Sequence, residues 1–446
     1  MVAPAFAHDG PGATPATWRD HLERASRVMP DLSGDGGLDR VLVLAAHPDD
    51  ESLGAAGLLA TASRAGLEIT LVLATAGEHS HPRSQAHSPD DLAQRRLAES
   101  DSALRRVAQG ASTTFLGVRD GQVADDEDLV VRSLVGLIGD GRHTLLLSPW
   151  RHDGHPDHEA CGRAAAVAAY RTGATLLQFP IWFWHWGAPE AMPWSRVRRL
   201  ALTPEAALAK QEAIASHTSQ VRPLSDLPGD EVLLGEDFLS HFGGALETYV
   251  AEEASDEALE SLHQRQSDPW STQTSWYERR KRMSTLAALP KPSYRRGLEV
   301  GCSVGMLAAE LVARCQRLEA VDSSPSAVAA TVARIGAVPG VDVSLRDLPG
   351  EWPEGRFDLI VLSEVGYFMS PARLEELVAR IDGSLEPDGD LVLCHWRHPV
   401  EGWPLDGPEV HARVRALLPR PEVVCHREPD FEISVFSGAP STGVVG

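Results

Sequence analysis

With 446 residues and a net charge of −22, the chain has room for two or three cores, and its charge argues against nucleic-acid or anionic-membrane partners, whose phosphates would repel it. Hydrophobic residues at 43% and charged residues at 23% match a soluble globular protein, and no stretch approaches the roughly 18 apolar residues of a membrane span. The five cysteines are scattered without a CxxC pair, and Met1 to Gly10 lacks both a basic start and an apolar segment, so a cytoplasmic protein without membrane insertion is expected.

From Arg40 to Thr203, apolar runs alternate with helical patterns. Val41–Ala45, Ile69–Ala74, Thr113–Leu116, Leu145–Ser148 and Leu176–Phe179 read as strands. Ser52–Ala65, Asp91–Val107, Asp128–Ile138 and Pro156–Tyr170 read as the helices between them, and a further helix runs from Pro204 to about Ser216. Such alternation predicts a parallel sheet covered on both faces.

The most informative residues lie at two strand ends. Ala46-His47-Pro48-Asp49-Asp50-Glu51 follows the run Val41–Leu44, and His155-Pro156-Asp157-His158 follows Leu145–Leu147. Open α/β sheets place their sites at this carboxyl edge. At a helix entrance His47 and Asp50 face one point, and His158 from the second loop supplies a third ligand. Two imidazoles and a carboxylate leave a coordination position for water, which is the ligand set of a hydrolase rather than of a structural zinc. A zinc-type ion there lowers the pKa of its water to about 7, although His/Asp sites also accept iron or cobalt. Asp49 and Asp157 stay off the metal and count as catalytic groups, with Asp49 as general base. His155, one turn from His158, donates a proton or stabilises an oxyanion. Helix capping alone would explain one such cluster; it explains two at matching strand ends poorly.

AHPDDE followed about a hundred residues later by HPDH resembles the PIG-L/LmbE-like deacetylases, which remove acetyl groups from N-acetylglucosamine-type sugars; the resemblance runs from about Arg40 to Tyr249. It implies zinc held by His47, Asp50 and His158, with Asp49 as base and His155 as acid or oxyanion stabiliser. Ala76-Gly77-Glu78, Arg96-Leu97-Ala98-Glu99, Arg119-Asp120-Gly121 and His217-Thr218-Ser219-Gln220 also look like the family, which nominates Arg96 and Asp120 as sugar contacts. An i,i+3 ion pair between Arg96 and Glu99 is the structural alternative. His79, His81 and His87 fall in a Pro/Ser-rich stretch read as a solvated lid. Trp182, Trp184 or Trp186 suits either a sugar face or a buried surface.

Residues 251–267 read as an acidic, helical linker between a first domain over 38–250 and a second over 268–437. Candidate strands of the second are Leu298–Val300, Leu318–Val321, Val341–Leu345, Leu359–Leu362 and Leu391–Cys394, and it is no repeat of the first. Glu299-Val300-Gly301-Cys302-Ser303-Val304-Gly305 ends a strand and opens a helix. Gly301 permits a tight turn and Gly305 close helix packing, and Asp322 ends the next strand, where a carboxylate accepts from ribose hydroxyls. The pattern resembles class I S-adenosylmethionine-dependent methyltransferases, with Ser303 replacing the middle glycine. The resemblance implies that Glu299, Gly301, Gly305 and Asp322 hold the cofactor and that Asp347 bonds the adenine amine. Ser363-Glu364-Val365-Gly366-Tyr367 and His395-Trp396-Arg397 look like the NodS branch, N-methyltransferases of deacetylated glucosamine, over about Asp268 to Pro429. Glu364, Tyr367 and His395 are candidates for handling the amine proton, and Trp270 and Tyr277 for capping the cofactor.

The expected architecture is α/β, with two Rossmann-like domains: a deacetylase domain followed by a class I methyltransferase fold. A deacetylase frees the primary amine that an N-methyltransferase consumes, and tethering raises the local concentration of the intermediate. A bifunctional enzyme is therefore expected, using Zn2+ and S-adenosyl-L-methionine on a small-molecule amino-sugar substrate. Two readings stay open beside it: a methyl acceptor that is a hydroxyl or unrelated amine, and one half kept only as a binding module.

Overall fold

The structure is a computed structural model that describes residues 12–25, 29–33 and 37–438. It divides between Ser255 and Asp256 into two compact units, each a Rossmann-like α/β domain on a seven-stranded sheet. Among the described residues, no helix is long and apolar enough to cross a membrane.

In the first unit, β1 (Arg40–Ala45), β2 (Glu68–Leu73), β3 (Ser112–Phe115), β4 (Thr144–Pro149) and β5 (Thr175–Phe179) begin and end within a residue of the predicted strands. They are followed by β6 (Val197–Ala201) and β7 (Leu246–Val250), which the apolar runs did not disclose. The sheet order is β3-β2-β1-β4-β5-β7-β6. β1 to β5 are parallel, but β7 runs antiparallel to both β5 and β6, so the sheet is mixed rather than wholly parallel. Alternate residues of β1 feed two cores. Val41 and Val43 pack with the helices Ala56–Arg64, Pro89–Val107 and Pro204–Ser216, while Leu42 and Leu44 pack with Glu127–Ile138 and Pro156–Thr172.

The predicted helix Ser52–Ala65 is broken into Asp50–Gly54 and Ala56–Arg64. A break frees backbone N–H groups that need acceptors. Glu247, on β7, takes the Gly57 and Leu58 amides at 2.7 and 2.8 Å and is itself paired with Lys210 at 2.9 Å. The charge that hides β7 from a hydrophobic-run reading is thus the cap of a helix opposite.

The second unit carries β8 (Tyr294–Val300), β9 (Cys315–Asp322), β10 (Val341–Leu345), β11 (Phe357–Ser363), β12 (Leu385–Trp396), β13 (Glu422–Arg427) and β14 (Phe431–Ser437). Their order, β10-β9-β8-β11-β12-β14-β13, repeats that of the first unit without repeating its sequence. The segment read as a linker is divided between the units. Glu252 bonds Trp150 and Arg196 of the first, while the helix Ala258–Arg265 packs in the second, with Glu260 accepting from the Ser324 and Ser326 hydroxyls.

Candidate functional site

In the first sheet β1 and β4 are neighbours, and the strand order reverses between them, opening a crevice at their carboxyl ends. Both acidic-histidine clusters emerge there. Asp50 lies 3.2 Å from His158 Nε2 and 3.8 Å from His47 Nδ1, and those two nitrogens are 3.3 Å apart. Tetrahedral ligands held ~2.1 Å from a zinc-type ion lie roughly 3.4 Å from one another, so the donor set fits such a cation. Two further sets, His47 with His155 and His158 and His47 with Asp120 and Asp157, also bring their ligand atoms within 4.8 Å of one another.

The remaining ring nitrogens are taken by carboxylates, which fixes ring orientation. His158 Nδ1 meets Asp153 at 2.7 Å, and His47 Nε2 meets Asp157 and Asp120, each at 3.2 Å. Asp50, Asp120, Asp153 and Asp157 crowd negative charge around the two imidazoles while Asp49 pairs with Arg96, and a divalent cation suits such a carboxylate-rich site. Asp50 is buried, yet the His158 and His47 rings hold its carboxyl down at about 2. At Asp49 burial wins and pushes the carboxyl up to about 6, against the pull of Arg96.

A pocket of about 120 Å³ is lined by His47, Asp49, Asp50, Arg96, Asp120 and His155, among others. Asp157 is buried behind His47, accepting from the Gly121 and Val123 amides. Arg96 does not pair with Glu99. It pairs with Asp49 at 3.1 Å and donates to the Gly77 and Pro48 carbonyls, while Glu99 takes Arg95, Thr218 and Ser219. The histidine-rich stretch is not uniformly solvated: His81 is buried and bonded to Ser80 and Glu231, whereas His79 lines the pocket. Of the three tryptophans, Trp182 faces the pocket, Trp184 packs on Trp18, and Trp186 is exposed.

In the second sheet β8 and β11 are the corresponding neighbours. Gly301 turns after β8 at φ +75°, where a Cβ would sit 2.1 Å from Val365. Ser303, in place of the middle glycine, still adopts φ +49°, and its amide donates to Asp322 at 2.9 Å. Gly305 opens the next helix close to Thr331. Glu299 is buried with Oε2 lacking a hydrogen-bond partner, and burial beside Asp322 pushes its carboxyl well above the usual range. An orphaned buried acid beside a tight turn fits a ligand rich in donors, as a ribose and an ammonium are. Asp347, just past β10, is exposed and paired with Arg373 at 2.6 Å. Glu364 follows β11 at φ +59°, accepting from the Tyr367 hydroxyl and the Trp396 amide. His395 is fully buried, accepting from the Gly366 amide and bonded to His411, away from any open surface. Tyr277 packs edge-on against Trp396, and Trp270 against His263.

Residues 42–169 match the family model of GlcNAc-PI de-N-acetylases (PIG-L), and residues 253–403 match that of nodulation protein S (NodS). The chain is a fusion of a PIG-L-matching region and a NodS-matching region. Both halves of the fusion belong to enzyme families. Its first half is similar to the 1D-myo-inositol 2-acetamido-2-deoxy-alpha-D-glucopyranoside deacetylase of Kineococcus radiotolerans, at 31% identity over 209 residues, covering 36% of this chain and 57% of that protein. The second is similar to nodulation protein S of Rhizobium tropici, at 32% identity over 128 residues, covering 28% of this chain and 54% of that protein. The crystal structure of N-methyltransferase NodS from Bradyrhizobium japonicum WM9 with S-adenosyl-l-homocysteine is 23% identical, with 41% of this chain and 98% of that chain covered and a TM-score of 0.36. The fusion spans little more than half the length of these two curated relatives.

Two residues of the fusion escaped the sequence reading. Asp153 lies five residues before His158, in the loop that leads into the helix Pro156–Thr172; it takes His158 Nδ1 and the amides of Ile181, Trp182 and Phe183. Its place in the carboxyl-edge loop after β4 is the signal that could have found it. Lys281, on the helix Trp276–Ala287, is buried with Nζ 2.8 Å from both Glu278 and Glu364. A single lysine on a polar helix gives no such signal.

Proposed function

We propose that the fusion removes the acetyl group from an N-acetylated amino sugar by metal-dependent hydrolysis and then N-methylates the freed amine with S-adenosylmethionine. The observation that carries the first step is the convergence of His47, Asp50 and His158 on one point beside the Asp49 carboxylate, which Arg96 holds at the pocket. The curated relatives of the two halves, an acetamido-sugar deacetylase and nodulation protein S, support the pairing.

His47, Asp50 and His158 would hold a zinc-type ion, which supplies Lewis acidity and makes water ionise near neutrality. Asp49, whose carboxyl is pushed up by burial, accepts the proton of the attacking water. His155, stacked on His158 at 4.6 Å, returns a proton to the leaving amine or faces the oxyanion. Asp153 and Asp157 act as positioning residues through the two ligand rings, and Asp120, at the pocket wall, meets the sugar. Trp182 supplies an apolar wall for the ring.

S-adenosylmethionine supplies the methyl group as a sulfonium. Glu299, Gly301, Gly305 and Asp322 would form its cradle, and Asp347, one strand further along, would meet the adenine amine. A protonated amine must shed its proton before it attacks, and Glu364, paired with Lys281 on one oxygen and bonded to Tyr367 and Trp396 on the other, would receive it by exchanging one of these partners. His395 acts only through Gly366, as a positioning residue.

The test is mass spectrometry of an N-acetylglucosamine glycoside incubated with the full chain, zinc and S-adenosylmethionine. Loss of acetyl followed by gain of methyl on one molecule is expected. Methylation of the acetylated glycoside, or none of the deacetylated one, would rule out the coupled reading.

A further inference from the structure

The helix Pro15–Arg24 closes over a second cavity of the first unit, at about 450 Å³ several times larger than the catalytic pocket of about 120 Å³. Trp18, Leu22, Trp184, Phe242 and Leu246 give it an apolar wall. Arg199, on β6, points a cation into that wall. The residue is 5% exposed; one Nη donates to the Glu23 carbonyl at 3.1 Å, while Nε has no hydrogen-bond partner. The nearby carboxylate of Glu247 is already occupied by Lys210, the Tyr249 hydroxyl and two backbone amides. A guanidinium taken from water and left with an open donor is costly unless an anion completes it.

We propose that this cavity is a second binding site, for a small amphipathic carboxylate whose charged end docks on Arg199 and whose apolar body lies against Trp18, Trp184 and Phe242. Cavities of ~300–1,000 Å³ are the size that takes small organic ligands. The planar guanidinium matches a carboxylate in shape, and the mainly apolar wall disfavours the more strongly hydrated phosphate. The proposal is independent of the deacetylase reading, although Leu53 lines both cavities and the carboxylate would rest against the short helix that carries Asp50.

Isothermal titration of the full chain with octanoate tests it, with 1-octanol as the uncharged match. Saturable binding of one octanoate per chain is expected, weakened at least tenfold in Arg199→Gln with an unchanged melting temperature, and lost in the cavity-filling Leu246→Trp. The proposal is overturned if octanoate does not bind, if 1-octanol binds as tightly, or if Arg199→Gln binds equally well. Should Arg199→Gln not fold, the octanol comparison and Leu246→Trp decide alone.

Discussion

Arg96 Nη2 stands 3.1 Å from Asp49 Oδ2, turned away from Glu99 on its own helix. With its other bonds to the Pro48 and Gly77 carbonyls, it clamps a residue whose φ of 146° is unfavourable for a side chain. Arg96→Met should therefore release Asp49 and lower kcat for deacetylation by roughly 10²-fold, with a smaller change in KM, as loss of orientation does. Lysine restores little, because it cannot fork to three oxygens. Steady-state kinetics decide: a rise in KM at constant kcat would make Arg96 a sugar contact instead.

Glu99 has a different task. It holds Thr218 and Ser219 at 2.6 Å each, next to His217 and the Glu51 network. Glu99→Gln should cost about 1.5–3 kcal/mol of stability, the range for a charged hydrogen bond, while leaving kcat within a few-fold. Denaturant titration beside kinetics checks both halves of that expectation.

Asp153 is 1% exposed and receives four donors, of which His158 Nδ1 is the closest to the chemistry. Asp153→Asn keeps the size but loses the charge that orients the ring. Zinc affinity, measured by equilibrium competition with a chelator, should fall about 10–100-fold, as for other residues behind a metal ligand. Unchanged affinity would reduce Asp153 to a cap for the Ile181–Phe183 turn.

How much of this was legible beforehand follows from burial. Strands buried on both faces, such as Leu145–Leu147, announce themselves as apolar runs, and the motifs at their ends were placed at once. β7 and β14 did not, because Glu247 and Glu432 interrupt them; each is a buried acid matched to cations from elsewhere in the fold. Local spacing offered Arg96 a pair with Glu99 as the alternative to a sugar contact, but Asp49, far away in sequence, is a desolvated partner and won over Glu99. His395 was read at a strand end, where sites gather, yet its strand continues to Trp396 under a helix, and the ring faces the core.

That burial has a pH signature. Burial lowers the His411 imidazole to about 4, and the His395 ring is lowered well below its usual value, burial first and His411 second. An unfolded histidine titrates near 6.5. Between about 6.5 and about 4 the unfolded chain binds a proton at His411 that the folded chain refuses, so stability falls as pH falls through that window, with roughly 2 kcal/mol gone at pH 5. His395 adds to the same slope. Hydrogen exchange of β12 and β14 amides at pH 7 and pH 5 should show the loss, and His411→Gln should flatten it; an equal slope in the variant would refute the assignment.

Lys281 joins the proposed methyl-transfer site from a helix outside the sheet. Its Nζ bridges Glu278 and Glu364, and it lies 5.1 Å over the Tyr277 ring. Glu364 is thereby held at φ +59° with both oxygens occupied, one by Lys281 and one by Tyr367. Lys281→Met would leave Glu364 without its counter-charge and free to turn. The expected result is a fall of about 10²-fold in methyl transfer, with S-adenosylhomocysteine affinity within a few-fold, since the cradle at Gly301 and Asp322 is separate. Arginine at 281, retaining the charge, should recover part of the rate, and the pH–rate profile of Lys281→Met should shift from that of the parent. If affinity and rate fall together and arginine recovers neither, Lys281 serves the helix packing and not the acceptor.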